Sequence, residues 1–304
     1  MRKQLLRYLV LVPAAAALFC LSTSAQKRKP AAPAQAKPII FAVLNDGKTL
    51  EPLALVSKGR LEAPVNGGDE LTKIAAFDKT YYKPGSSYRL IFGGANAGTV
   101  KVNSYDPKAE CSRNMAQVTT TATKITLKGL VMGLATNVSG KTATASFRRR
   151  PTPAEKTEMD TLARAEFMRQ KVTARELRFQ NLTAVDVDND GKPEFVASYW
   201  TEIDKTTRGL LFFIAQRNSG GEYAIAYKEY RKVGEADVMS GEIKSVDDAI
   251  YHELLLDVFD FDGDGIAEIF TYTQSFEGAG FNAYRHSGGK WLKAFDYANY
   301  HCGY

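Results

Sequence analysis

Two nine-residue stretches constrain this chain more than anything else in it: DVDNDGKPE at 186–194 and DFDGDGIAE at 260–268. Both obey D-x-D-x-D-G-x-x-E. Placing Asp186 on Asp260, an offset of 74 residues, brings Leu182 onto Leu256, Ala184 onto Val258, Glu194 onto Glu268 and Phe195 onto Ile269. An acidic loop entered and left by apolar runs, twice in register, predicts a repeated β unit rather than a chance acidic cluster. VASYW, GLLFFIAQ and YAIAYKEY follow the first loop; IFTYT, FNAYRH and KWLKAFDY follow the second. Two units of about four strands each are therefore expected over residues 181–304.

The spacing also carries chemistry. Oxygens at positions 1, 3 and 5 of a tight turn converge, the glycine permits the backbone to turn, and a carboxylate at position 9 can close the shell from the next strand. The candidate metal ligands are Asp186, Asp188, Asp190 and Glu194 in the first loop and Asp260, Asp262, Asp264 and Glu268 in the second, with the main-chain carbonyls of Lys192 and Ile266 at position 7. Four carboxylates about 4 to 5 Å apart repel by roughly 1 to 4 kcal/mol per pair, depending on the local dielectric, so the arrangement needs a cation. All-oxygen donors disfavour zinc and copper, and a flexible set suits calcium better than the octahedron of magnesium. Two calcium sites are expected. An EF-hand is excluded, because its twelfth position requires glutamate where this chain has Ala197 and Thr271, and because strands rather than helices flank the loops. The plainer reading is of two solvated hairpins, Asp and Gly being common in turns, and the register of the two copies weighs against it.

With their flanks, AVDVDNDGKPEFV and VFDFDGDGIAEIF resemble the calcium loops of FG-GAP and VCBS-type repeats, found in integrin-like propellers and many exported bacterial proteins. The resemblance implies propeller-blade-like sheets and assigns to calcium the same eight carboxylates. It covers only about residues 180–304. A closed propeller needs at least four blades and two are visible, so closure is not expected.

Upstream, IIFAVL and LEPLALV flank Asn45, Asp46 and Gly47, and YRLIF and TVKVNS flank GGANAG. KITLKGLVMGL and TATASF add two more candidate strands, so residues 38–150 read as a small N-terminal β domain, with a sandwich and a barrel both open. Arg148, Arg149 and Arg150 followed by Pro151 mark a linker. Thr152, Pro153 and Glu155 then form a capping box, predicting a helix from 153 to about 170 with Met159, Leu162, Ala163 and Phe167 on one face, in a linking region over 151–180. The expected fold is mainly β, with one short linking helix.

The first 25 residues read as a secretory signal: Arg2, Lys3 and Arg7, an apolar run from Tyr8 to Leu21, then Thr23 and Ala25 before a cut. That run of about 14 residues is short of the roughly 20 that cross a bilayer, and no later segment approaches it. Export to the periplasm or exterior is expected, with a disordered spacer at 26–37. Cys111 and Cys302 then remain, either paired in an oxidising compartment or as two free thiols.

Residues 26–181 carry 26 Lys+Arg against 13 Asp+Glu, net +13, whereas 182–304 carry 11 against 21, net −10. The basic lysines are scattered among expected strands without a recognition motif, so nucleic acid is excluded as a partner. His252, His286 and His301 stand in no protease or nucleophile context, and Trp200, Tyr284, Trp291 and Tyr300 fit strand cores better than a sugar platform. Asn137 and Asn181 begin glycosylation sequons. The sequence thus points to a non-enzymatic exported module that binds a protein or a glycan, with structural calcium. The alternative is an extracytoplasmic hydrolase acting on a glycan or ester, its fold stabilised by calcium.

Overall fold

A computed structural model gives the fold for residues 36–106, 108–237 and 245–302. The expected leader, and all but the last two residues of the expected spacer, lie outside the described residues. Sixteen strands and two helices are described: β1 (Ile39–Leu44), β2 (Thr49–Ser57), β3 (Arg60–Glu62), α1 (Leu71–Tyr81), β4 (Ser87–Phe92), β5 (Ala95–Tyr105), β6 (Ala116–Ala122), β7 (Gly133–Thr136), β8 (Arg148–Arg149), α2 (Pro153–Arg169), β9 (Arg178–Val185), β10 (Glu194–Asp204), β11 (Thr207–Arg217), β12 (Tyr223–Gly234), β13 (Glu253–Phe259), β14 (Glu268–Gln274), β15 (Gly278–Ser287) and β16 (Lys290–Tyr300). The fold is mainly β, as expected.

The N-terminal strands settle the choice between sandwich and barrel. They run β1-β7-β4-β5-β6-β2, and β1 pairs back onto β2, closing a six-stranded barrel with β3 on its flank. The repeats form two open sheets. The meander β9–β12 carries β8 on its outer edge, and β13–β16 repeats the meander alone, so each unit supplies four strands.

The layers pack in the order α2, first repeat sheet, second repeat sheet, barrel, with a separate core in each gap. This stacking explains why so many strands are apolar throughout instead of alternating: both faces of each are buried. In β13, Leu254 and Leu256 face the barrel while Leu255 and Val258 face the first repeat sheet. In β1, Phe41 and Val43 fill the barrel interior while Ile40 and Ala42 face the second repeat sheet. The residues on either side of position 150 therefore share a core.

The linking helix begins as its sequence dictates. Glu155 N–H donates to Thr152 Oγ1 at 3.3 Å, Thr152 N–H donates back to Glu155 Oε2 at 2.7 Å, and Met159, Ala163 and Phe167 are buried against the first repeat sheet. The arginine run before it is not a free linker. Arg148 and Arg149 form β8, pairing with Val185 and Ala184, and Arg148 makes a buried ion pair with Asp257 at 2.8 Å.

Four elements depart from expectation. Of the expected strand KITLKGLVMGL, Gly133 and Leu134 begin β7, while the residues before them carry an isolated bridge, Lys128 to Val131, with Leu127 turned into the barrel core. TATASF forms no strand and lies along the Gly93–Gly94 turn, with Ala143 N–H donating to Gly94 O at 2.9 Å and Phe147 N–H to Gly93 O at 3.0 Å. Helix α1 and strand β6 were not anticipated. No helix among the described residues is long and apolar enough to cross a membrane.

Candidate metal centres

Each acidic loop is the turn between the first two strands of a repeat, β9–β10 and β13–β14, and its aspartates converge by bonding the loop's own N–H groups. One oxygen from each of Asp186, Asp188 and Asp190 lies within 4.8 Å of the others, and the same holds for Asp260, Asp262 and Asp264: both triads could hold a metal ion. The two backbones match closely. Asp190, Gly191 and Lys192 donate their N–H groups to Asp188, Asp186 and Asp190 at 3.1, 3.0 and 2.7 Å. Asp264, Gly265 and Ile266 donate to Asp262, Asp260 and Asp264 at 3.2, 3.0 and 2.9 Å. Gly191 and Gly265, with φ of 79° and 99°, supply the left-handed turn the motif requires.

Each loop also leaves one buried carboxylate oxygen without a hydrogen-bond partner among the described residues: Oδ1 of Asp186, a residue 9% exposed, and Oε2 of Glu268, 1% exposed. A buried oxygen of this kind is expensive unless a donor or cation meets it. Burial pushes Glu194 and Glu268 up to about 8, and the neighbouring aspartates add to both shifts. Asp188 is raised by the same two causes. The first loop thus stores carboxylates whose ionisation a bound cation would favour.

The loops differ where their surroundings differ. Asp260 Oδ1 accepts the N–H of Gly263 at 2.7 Å, a bond that Asn189 does not supply to Asp186. Glu194 Oε2 accepts Val187 N–H at 3.2 Å. Glu268 instead accepts from Arg285 Nε at 2.8 Å, and the same guanidinium reaches Asp262 Oδ2 at 2.6 Å. Strand register explains the contrast: Ile269 faces Tyr284, placing Arg285 beside Glu268, whereas Phe195 faces Ala215, placing Gln216 beside Glu194. The loops also touch. Ala267 N–H donates to Val187 O at 2.7 Å, and Asp186 and Asp260 line one shared cavity of about 110 Å³. The equivalent of Ala267 in the first loop is Pro193, which has no N–H to return the bond.

Of the position-7 residues, Lys192 turns its side chain outward to Asp190 at 3.3 Å, and Ile266 packs against the core between the repeat sheets. Phe212, Tyr284 and Trp291 are buried in that core, and Trp291 donates to Gln216 Oε1 at 2.8 Å.

A second polar centre was not foreseen. Glu51, wholly buried in β2, accepts from Asn299 Nδ2 at 2.7 Å and lies 2.7 Å from His301 Nε2. Burial alone would lower His301, but the Glu51 contact outweighs it and holds the imidazole above its usual value. Both residues line a cleft of about 1010 Å³ with Tyr105, Tyr272 and Leu130. Cys111 and Cys302, for which two states were open, form a disulfide that fixes the tail beside this cleft. His252 is pushed down to about 4 by burial and by Arg231, and His286 packs on Trp291. Comparison with protein-family models, curated proteins and solved structures gives no match, so the sites are read from their own geometry.

Proposed function

We propose that this chain is an exported calcium-binding β-repeat protein, with one calcium ion in each D-x-D-x-D-G-x-x-E loop serving the fold rather than a reaction. The observation that carries the reading is the orphaned buried oxygen in each loop, Asp186 Oδ1 and Glu268 Oε2, beside a converging aspartate triad. The ligands would be the eight carboxylates, with Lys192 and Ile266 offering main-chain carbonyls. Oxygen-only donors on a flexible turn favour calcium over the transition metals. Export rests on the leader sequence. The stiffened sheets would then present a defined surface to a protein or glycan partner, as the resemblance to FG-GAP and VCBS-type repeats suggests.

Thermal unfolding of the purified protein in chelator and in millimolar calcium tests the assignment. Calcium binds the folded form only, so the melting temperature should rise with its concentration, by about 2.7 kcal/mol of stability at a hundredfold excess over Kd. Asp188→Ala and Asp262→Ala should each remove part of that gain. An identical melting point in chelator and calcium defeats the proposal.

One observation favours a second reading as an enzyme: buried Glu51 and half-buried His301 line a cleft of about 1010 Å³, an arrangement in which a carboxylate orients an imidazole for proton transfer. Turnover of a glycan or ester panel that Glu51→Gln abolishes, without loss of folding, would select it.

A further inference from the structure

The two loops share a backbone but not a charge environment, and that difference has a chemical consequence. Resting on the calcium reading above, we infer that the loops bind the ion unequally: the first is the standing structural site, and the second is a weaker, responsive site at which calcium must displace Arg285.

Arg285 already satisfies two of the carboxylates that calcium would need, with Nε on Glu268 at 2.8 Å and a terminal nitrogen on Asp262 at 2.6 Å. Charge-assisted bonds from one planar guanidinium to two carboxylates are among the stronger side-chain contacts, so the ion competes with a resident cation. The guanidinium leaves part of the loop unmet, since Glu268 Oε2 stays buried without a partner. Arginine therefore holds the second loop together without completing it. It is not locked in by burial: its side chain is 30% exposed, so a displaced guanidinium can turn to solvent.

Nothing comparable guards the first loop. The register that sets Arg285 beside Glu268 sets Gln216 beside Glu194, and Gln216 is occupied by the indole of Trp291. Lys192 reaches Asp190 at 3.3 Å and is 67% exposed, so water and salt screen it. The bond from Ala267 N–H to Val187 O joins the loops directly, so an ion in the first loop steadies the backbone that leads into Glu268.

Calorimetric titration of calcium into the full chain tests the inference. Two sites should appear, the weaker by about tenfold or more, the effect of one displaced charge-assisted pair. Asp186→Asn should remove the tighter site and Asp262→Asn the weaker. Arg285→Gln gives the second repeat the residue that the first has at this place, and should tighten only the weaker site, by about tenfold. Arg285→Lys, which keeps a charge but loses the fork, should fall between the two and serves if the glutamine variant does not fold. The Nε–H resonance of Arg285 should move only as the second site fills. Two equal affinities, or a second site that Arg285→Gln leaves unchanged or weakens, would overturn the inference while the calcium reading stands. Absence of binding at both loops would overturn the two together.

Discussion

Asp78 and Asp257 are both wholly buried carboxylates, but their surroundings differ. Asp257 has Arg148 at 2.8 Å and the N–H of Gly94 at 3.1 Å. Asp78, on the inner face of α1, has no hydrogen-bond partner for either oxygen among the described residues, and burial pushes it up to about 6. The unfolded chain releases this proton near 3.8, so between that value and about 6 the folded form holds more protons. Stability contributed by protonated Asp78 is complete below the lower value and is lost as the pH climbs through the upper one, by about 3 kcal/mol at most. Asp78→Asn should abolish that slope and leave the protein more stable than its parent at pH 7. Denaturant titrations at pH 4, 5, 6 and 7 measure this, and parallel pH curves for parent and variant would refute it. His301 acts in the same direction at higher pH: the stability from its contact with Glu51 is present below about 6.5 and disappears as pH rises through its raised value.

Among elements, the segment just before TATASF does the least obvious work. Lys141 forms a bridge to Asp260, and at Gly140 a Cβ would stand 2.6 Å from Asp260 O and 2.9 Å from Phe261 Cα. Gly140→Ala should therefore lift this segment from the second loop, lowering stability by about 1 to 3 kcal/mol and weakening calcium binding there more than at the first loop. Thermal melts and the same calorimetric titration report both effects; an unaltered second site would show that the contact is incidental. Which elements were legible in the sequence follows from what each buries. Strands lying between two cores announce themselves as unbroken apolar runs, so β1, β10, β11 and β13 stand where the residues put them. The capping box located α2 to the residue. Strand β6, AQVTTTA, buries little more than Ala116 and Val118 and reads as polar loop. Helix α1 starts after Glu70 with no side-chain cap, so no boundary signal marks it, although Ile74, Phe77 and Tyr81 do follow helical spacing. The first part of KITLKGLVMGL misled because Ile125 and Leu127 pack into the barrel core from outside any strand, and only Gly133 and Leu134 enter β7.

Across the molecule, the acidic triads were legible because each is contiguous in sequence. The Glu51, Asn299 and His301 cluster was not, because it joins residues about 250 apart, with no local pattern to reveal it. Arg285 escaped notice for the same reason: its partnership with Glu268 comes from strand register, which composition does not encode. The disulfide closes a long loop of its own, with Cys111 and Cys302 separated by 191 positions. On the chain-entropy model its removal should cost about 5 kcal/mol, so Cys111→Ser and the reduced protein should unfold at markedly lower denaturant than the oxidised form. Coincident curves would mean that the tail is held by its side chains alone. The same tail sets an order of events during synthesis. The barrel is made first, yet Glu51 receives its two polar neighbours only when residues 299 and 301 leave the ribosome. Until then the barrel strands carry a carboxyl group without those partners, and a chain stopped before residue 299 would carry its fault about 250 positions upstream, in β2.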